Sequence, residues 1–92
     1  MAHTRSAKKR IRQAEKRRLL NRYHISRMKT AIKRITEALK NKDIETAEKL
    51  LPLAQKLAYR AAAKGAIHKN EAARRVSRIY RKVNAAKASL SQ

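Results

Sequence analysis

Cysteine, Phe and Trp are absent from the 92 residues, and Gly and Pro occur once each. Without Cys, neither a disulfide framework nor a thiolate zinc site can form, and the absence fits a reducing compartment. One Gly and one Pro leave almost no turn chemistry for β-hairpins, and strict apolar–polar alternation is missing. No apolar run approaches the roughly 18 residues of a membrane span. The basic N-terminus has no apolar stretch behind it and is not expected to act as a secretory signal. Acid is scarce as well, with 6 Asp plus Glu against 26 Lys plus Arg, for a net charge of +20. The class that remains is all-α, and a chain this short forms one domain, 1–92.

The apolar share of 42% overstates the core, because 17 of those residues are Ala and only 17 are Ile, Leu or Val. Like charges at this density repel one another and oppose compaction, so the missing counterpart is expected to be a polyanion. The charge is uneven. Residues 1–22 hold nine Lys/Arg and one acid, net +8. Residues 43–65 hold four Lys/Arg and three acids, net +1. The middle of the chain is therefore expected to face away from the polyanion.

Two breaks divide the pattern into helices at roughly 6–41, 43–64 and 69–87, with Met1–Arg5 and Ala88–Gln92 as frayed ends. Asp43 is placed to N-cap the second helix, Gly65 to end it in a left-handed conformation, and Asn70 to cap the third. Ile44, Ala47, Leu51, Ala54, Ala58 and Ala61 form one apolar face, widened by Leu50 and Leu57. Ala72, Val76, Ile79 and Val83 form another, with Tyr80 beside them. Pro52 inside the second helix predicts a kink or a break.

The first helix is the informative one. Its seam runs Ile11, Ala14, Arg18, Asn21, Ile25, Met28, Ile32, Ile35 and Leu39, and is cleanly apolar only from Ile25 onward. At about 1.5 Å per residue it spans about 54 Å against about 30 Å for each of the others. The expected architecture is a three-helix bundle whose first helix overhangs by its 15 to 20 most basic residues.

On that overhang Lys8, Lys9, Arg10, Arg12, Lys16, Arg17, Arg18 and Arg22 point all round the helix, suited to phosphates on more than one side. Arg grips phosphate oxygens bidentately and Lys acts as a point charge. Tyr23, Tyr59 and Tyr80 each sit near an apolar position and read as core or edge packing rather than base-stacking platforms. The chain reads as a binder of backbone and shape rather than of bases. His3, His24 and His68 lack metal-ligand spacing. Ser6, Ser26 and Ser77 lack a His–acid arrangement, so no enzyme is expected. Two rivals stand beside an RNA-binding protein. One is a DNA-binding basic zipper with Lys8–Arg22 as basic region and Ile25–Leu39 as seam. The other is a peripheral membrane binder, which needs a bulky apolar face left free.

Two stretches carry a family resemblance. Ser6-Ala7-Lys8-Lys9-Arg10, followed by Glu15-Lys16, is a basic run of low specificity. Ala62-Ala63-Lys64-Gly65-Ala66-Ile67-His68-Lys69-Asn70-Glu71-Ala72-Ala73-Arg74 is a more specific junction. Together they resemble bacterial-type small-subunit ribosomal protein twenty, and length and helix layout fit over almost the whole chain. The resemblance implies a three-helix bundle that binds small-subunit ribosomal RNA directly and organises RNA helices during assembly. It implies a monomer within the subunit, in the cytoplasm, with no cofactor, no membrane and no small-molecule substrate. By position it assigns RNA contacts to Lys8, Lys9, Arg10, Lys16, Lys64, Gly65, His68, Lys69, Asn70 and Arg74. Glu71 departs from the family pattern, where Lys is common, and no phosphate contact carries over to it. Arg12, Arg17, Arg18, Arg22, Arg75 and Arg78 are added from charge and placement alone. At the junction two readings stay open: backbone N–H groups that cradle an anion, or Gly65 and Asn70 acting only as caps.

Overall fold

The computed structural model describes the backbone of residues 2–90 and side chains from Arg5 to Leu90. It contains α1 (Ala2–Lys40), α2 (Ile44–Ala63) and α3 (Lys69–Leu90). Among the described residues there is no strand. The expected fraying of Met1, Ser91 and Gln92 lies outside these residues. At the other positions expected to fray, α1 already begins at Ala2 and α3 continues to Leu90. No Gly or Pro stands in either extension to stop the helix. The molecule measures 72 × 22 × 14 Å, and α1 alone accounts for about 58 Å of its length.

The apolar faces of α2 and α3 are those expected except at Ile44, which is only half-buried at the start of α2: Ala47, Leu51, Ala54, Ala58 and Ala61 are buried on one, and Ala72, Val76, Ile79 and Val83 on the other. Leu57 joins them in full, while Leu50 and Tyr80 are half-buried against the core. On α1 the buried set is Met28, Ala31, Ile35 and Ala38, with Ile25, Ile32 and Leu39 at its margin. The stripe is thus rotated from the expected seam. The cause lies in the partners: α2 packs far more extensively on α1 than α3 does. Small Ala31 and Ala38 admit a close approach, while the bulkier Ile32 closes the thinner seam with α3.

Pro52 does not break α2, which is continuous through it. Glu48, whose carbonyl loses its partner, shares the exposed face with Pro52, so water can take up the freed acceptor. Burial of Leu51 and Ala54 on either side holds the helix together. Asp43 caps α2 as expected: its Oδ1 accepts the Thr46 N–H at 3.2 Å, and Thr46 Oγ1 donates to Oδ2 at 2.6 Å. These bonds to the charged form hold the Asp43 carboxyl below its usual range.

Both turns close the same way. At the end of α1 the Asp43 N–H donates to the Ala38 carbonyl at 2.8 Å, and Lys42 sits at φ +58°. At the end of α2 the Ala66 N–H donates to the Ala61 carbonyl at 2.9 Å, and Gly65 sits at φ +77°. Each pairs the last carbonyls of the helix through one left-handed residue. Gly65 is needed there for its backbone angle and not for space, since an added Cβ would meet nothing within 4 Å. Tyr80 Oη donates to Gln55 Oε1 and Lys87 Nζ to Glu48 Oε1, both at 2.8 Å, tying α3 antiparallel along α2.

Candidate nucleic-acid interface

Every described side chain from Arg5 to Leu20 is exposed. Partial cover begins at Asn21, and the first fully buried position is Met28. The overhang therefore carries Lys8, Lys9, Arg10, Arg12, Lys16, Arg17 and Arg18 into solvent, with Arg22 exposed at its root. Glu15 is the one acid in that stretch. Among the described residues no ion pair ties any of these cations to a carboxylate. This satisfies the expectation of a bare cationic rod, since no carboxylate among the described residues pairs with it.

The antiparallel course of α2 and α3 returns the Lys64–Asn70 junction to the level where the overhang leaves the bundle. The family-like junction and the basic run thus converge on one end of the molecule. Locally the junction differs from expectation. His68, not Asn70, caps α3: its carbonyl accepts the N–H groups of Glu71 at 3.0 Å and Ala72 at 3.1 Å. Its Nδ1 accepts the Asn70 N–H at 3.1 Å, which places the ring proton on Nε2. Asn70 lies inside the first turn because the chain enters the helix at Lys69. Three N–H groups that would have cradled an anion are already engaged. What the junction still offers a phosphate is the exposed side chains of Lys64 and Lys69, with His68 Nε2.

Along the seam of α1 with α3, Ile32 and Ile79 floor a groove edged by Arg75, Arg78 and Lys82. Arg18, Arg22, Lys29 and Lys33, spaced by four, seven and four, share the α1 stripe beside Ile25 and Ile32. They extend the cationic edge of the groove out along the overhang. Arg74 and Arg75 are not fully available, because Glu71 accepts hydrogen bonds from both, with Arg75 Nε at 2.9 Å. Those bonds, led by the one from Arg74, hold the Glu71 carboxyl below its usual range. The pairing is present above the ordinary carboxylate range and is lost as pH falls through the lowered value. Arg78 and Lys82 have no such partner among the described residues.

Sequence reasoning missed Lys29, Lys33 and Lys82, whose signal was their spacing beside core residues. It also misplaced two tyrosines. Tyr80 packs as expected, but Tyr23 is 53% exposed and Tyr59 42% exposed. Tyr23 lies well off the buried stripe of α1, about 140° round the helix from Met28. The zipper rival loses its seam, because the chain's own helices bury Met28 and Ile35 and pack against Ile25, Ile32 and Leu39. No helix among the described residues is long and apolar enough to cross a membrane.

A slender three-helix bundle with an exposed cationic rod at one end defines a small, strongly basic helical protein. The family model described as "Ribosomal protein S20" matches residues 2–84. The small ribosomal subunit protein bS20 of Hydrogenobaculum sp. (strain Y04AAS1) is 51% identical over 92 residues, covering 100% of this chain and 99% of that one. Its counterpart from Aquifex aeolicus is 51% identical over 86 residues, 94% of this chain and 92% of the relative. That of Rhodopirellula baltica is 54% identical over 79 residues, 86% and 88% of the two chains. The chain belongs to the ribosomal protein S20 family.

Proposed function

We propose that the chain is a structural constituent of the small ribosomal subunit, not an enzyme. It binds small-subunit rRNA directly, through phosphates and shape, and stabilises the RNA fold during assembly. The observation that carries this reading is the full exposure of Arg5–Leu20 with its unpaired cations. RNA helices repel one another through their phosphates. A rod with cations all round it neutralises strands on several sides at once and lowers that repulsion. Lys8, Lys9, Arg10, Arg12, Lys16, Arg17, Arg18 and Arg22 grip strands along the rod. Lys64, Gly65, His68, Lys69 and Asn70 sit against RNA at its root, and Arg74, Arg75 and Arg78 along α3. The protein works as one domain, as a monomer within the bacterial ribosome, and takes no cofactor or small-molecule substrate.

Filter binding of the full chain to a small-subunit rRNA transcript, against duplex DNA of equal length, tests this across a salt series. Each phosphate contact contributes about 0.7–0.9 to the slope of log K against log salt, so eight contacts give a slope of about −6 to −7. Tighter binding to the transcript with such a slope is the expected result. Equal affinity for the DNA, or binding indifferent to salt, contradicts the proposal.

A further inference from the structure

A second groove lies on the opposite flank of α1, between it and α2, and nothing in the reading above uses it. It is an open cleft of about 360 Å³ whose lining includes Tyr23, Arg27, Thr30 and Arg34 from α1 and Leu53 and Leu57 from α2. That volume falls within the range of about 300–1,000 Å³ typical of small-molecule sites. Its floor is apolar, with Leu57 buried and Leu53 39% exposed. Its wall is an aromatic ring held in place. Arg27 Nη1 donates to Tyr23 Oη at 3.2 Å, and the Arg27 guanidinium carbon lies 5.5 Å from the ring centroid. His24 meets the same ring edge-on at 5.3 Å. No carboxylate lines the groove, and neither Arg27 nor Arg34 is in an ion pair among the described residues.

We propose that this groove receives one unpaired nucleotide of the bound RNA. The base lies against the Tyr23 ring and the leucine floor, and its flanking phosphates lie on Arg27 and Arg34. This rests on the RNA reading above and adds to it a contact with a base. The chemistry of the lining matches such a ligand part by part. A base presents a π-face that stacks on an aromatic ring or a guanidinium plane, with little dependence on sequence. Its edge offers donors and acceptors to the Thr30 hydroxyl. Its backbone carries the negative charge that two unpaired arginines otherwise lack. The groove is also continuous with the cationic rod. Lys16, Tyr23 and Thr30 recur every seven residues and share one stripe of α1, so a strand leaving the groove passes onto the overhang.

Ultraviolet cross-linking of the full chain to a small-subunit rRNA transcript, followed by trypsin and mass spectrometry, tests the proposal. Cleavage after Arg22 and Arg27 releases residues 23–27 as one peptide, and that peptide should carry a nucleotide adduct. Tyr23→Ala should lose the adduct and weaken binding about tenfold or more with an unchanged salt slope, because stacking is not ionic. Tyr23→Phe should bind like the parent. Arg34→Ala should lower the slope by about one. Tyr23 is exposed, so these variants keep the helical content of the parent by circular dichroism. Adducts confined to residues 5–22, with Tyr23→Ala binding like the parent, overturn the groove proposal and leave the RNA reading intact. Cross-links from residues 23–27 to another protein in reconstituted subunits, with no nucleotide adduct, also overturn it. Failure of the parent chain to bind the transcript overturns both.

Discussion

Replacing Arg10, Arg12, Arg17 and Arg18 together by Ala lowers affinity for small-subunit rRNA by about two orders of magnitude or more at roughly 0.15 M salt. The slope of log K against log salt shrinks by about three, since each lost phosphate contact removes about 0.7–0.9. The four side chains are exposed and make no ion pair among the described residues. Their loss therefore removes the proposed phosphate contacts and leaves the bundle's own packing in place. Ala is also the best helix former, so helix content and melting temperature hold or rise. Circular dichroism beside a binding titration at several salt concentrations separates the two effects. A fall in affinity with an unchanged slope would mean that these arginines do not touch phosphates.

The second large effect concerns the bundle itself. Ile35→Ala removes a side chain with 0% exposure from the centre of the core. Such truncations cost about 2–5 kcal/mol, the lost burial plus the cavity left behind. In a domain this size each kcal/mol is worth about 4–8 °C, so the melting temperature should fall by at least about 8 °C. The core is narrow and much of it is Ala, so no large neighbour stands ready to fill the hole. Leu19→Ala, on the overhang at 65% exposure, should leave the transition within a degree or two. Thermal denaturation of the two variants checks the contrast, and an equal loss from both would mean that the overhang is packed in solution.

The architecture was legible in the sequence wherever the signal is local. The faces of α2 and α3 follow from three-and-four spacing, Asp43 from the chemistry of N-caps, and Gly65 from the left-handed turn that only Gly enters without strain. The overhang was legible because it is a matter of length: two short helices cannot cover a long one. What escaped depends on the third dimension. Whether Ala31 or Ile32 goes under α2 is decided by which partner helix comes closer, and no spacing within α1 reports that. His68 is not a favoured cap type. It caps α3 because the turn after Gly65 delivers its ring and carbonyl to the helix entrance. Arg27 and Arg34 were passed over because the segment from Ile25 to Leu39 read as core seam, and Tyr23 was read as core or edge packing.

The family could be read from the Lys64–Arg74 junction before any fold was known, whereas the role of each residue there could not. The pairing of Glu71 with Arg74 and Arg75 shows why. An acid at that position engages two cations which charge counting alone assigns to RNA, offsetting one of their two charges. Along α3, Arg78 and Lys82 are left as the cations with no ion-pair partner among the described residues.

Amide hydrogen exchange of the chain, alone and bound to a small-subunit rRNA transcript, bears most directly on the bare cationic rod. Free, residues 5–20 should exchange quickly because no tertiary contact covers them, while Met28–Ala38 are protected by the bundle. On adding RNA, protection should rise along 5–20 and change little in the core. Slow exchange of 5–20 in the free protein, or rates there that RNA leaves untouched, would contradict the account.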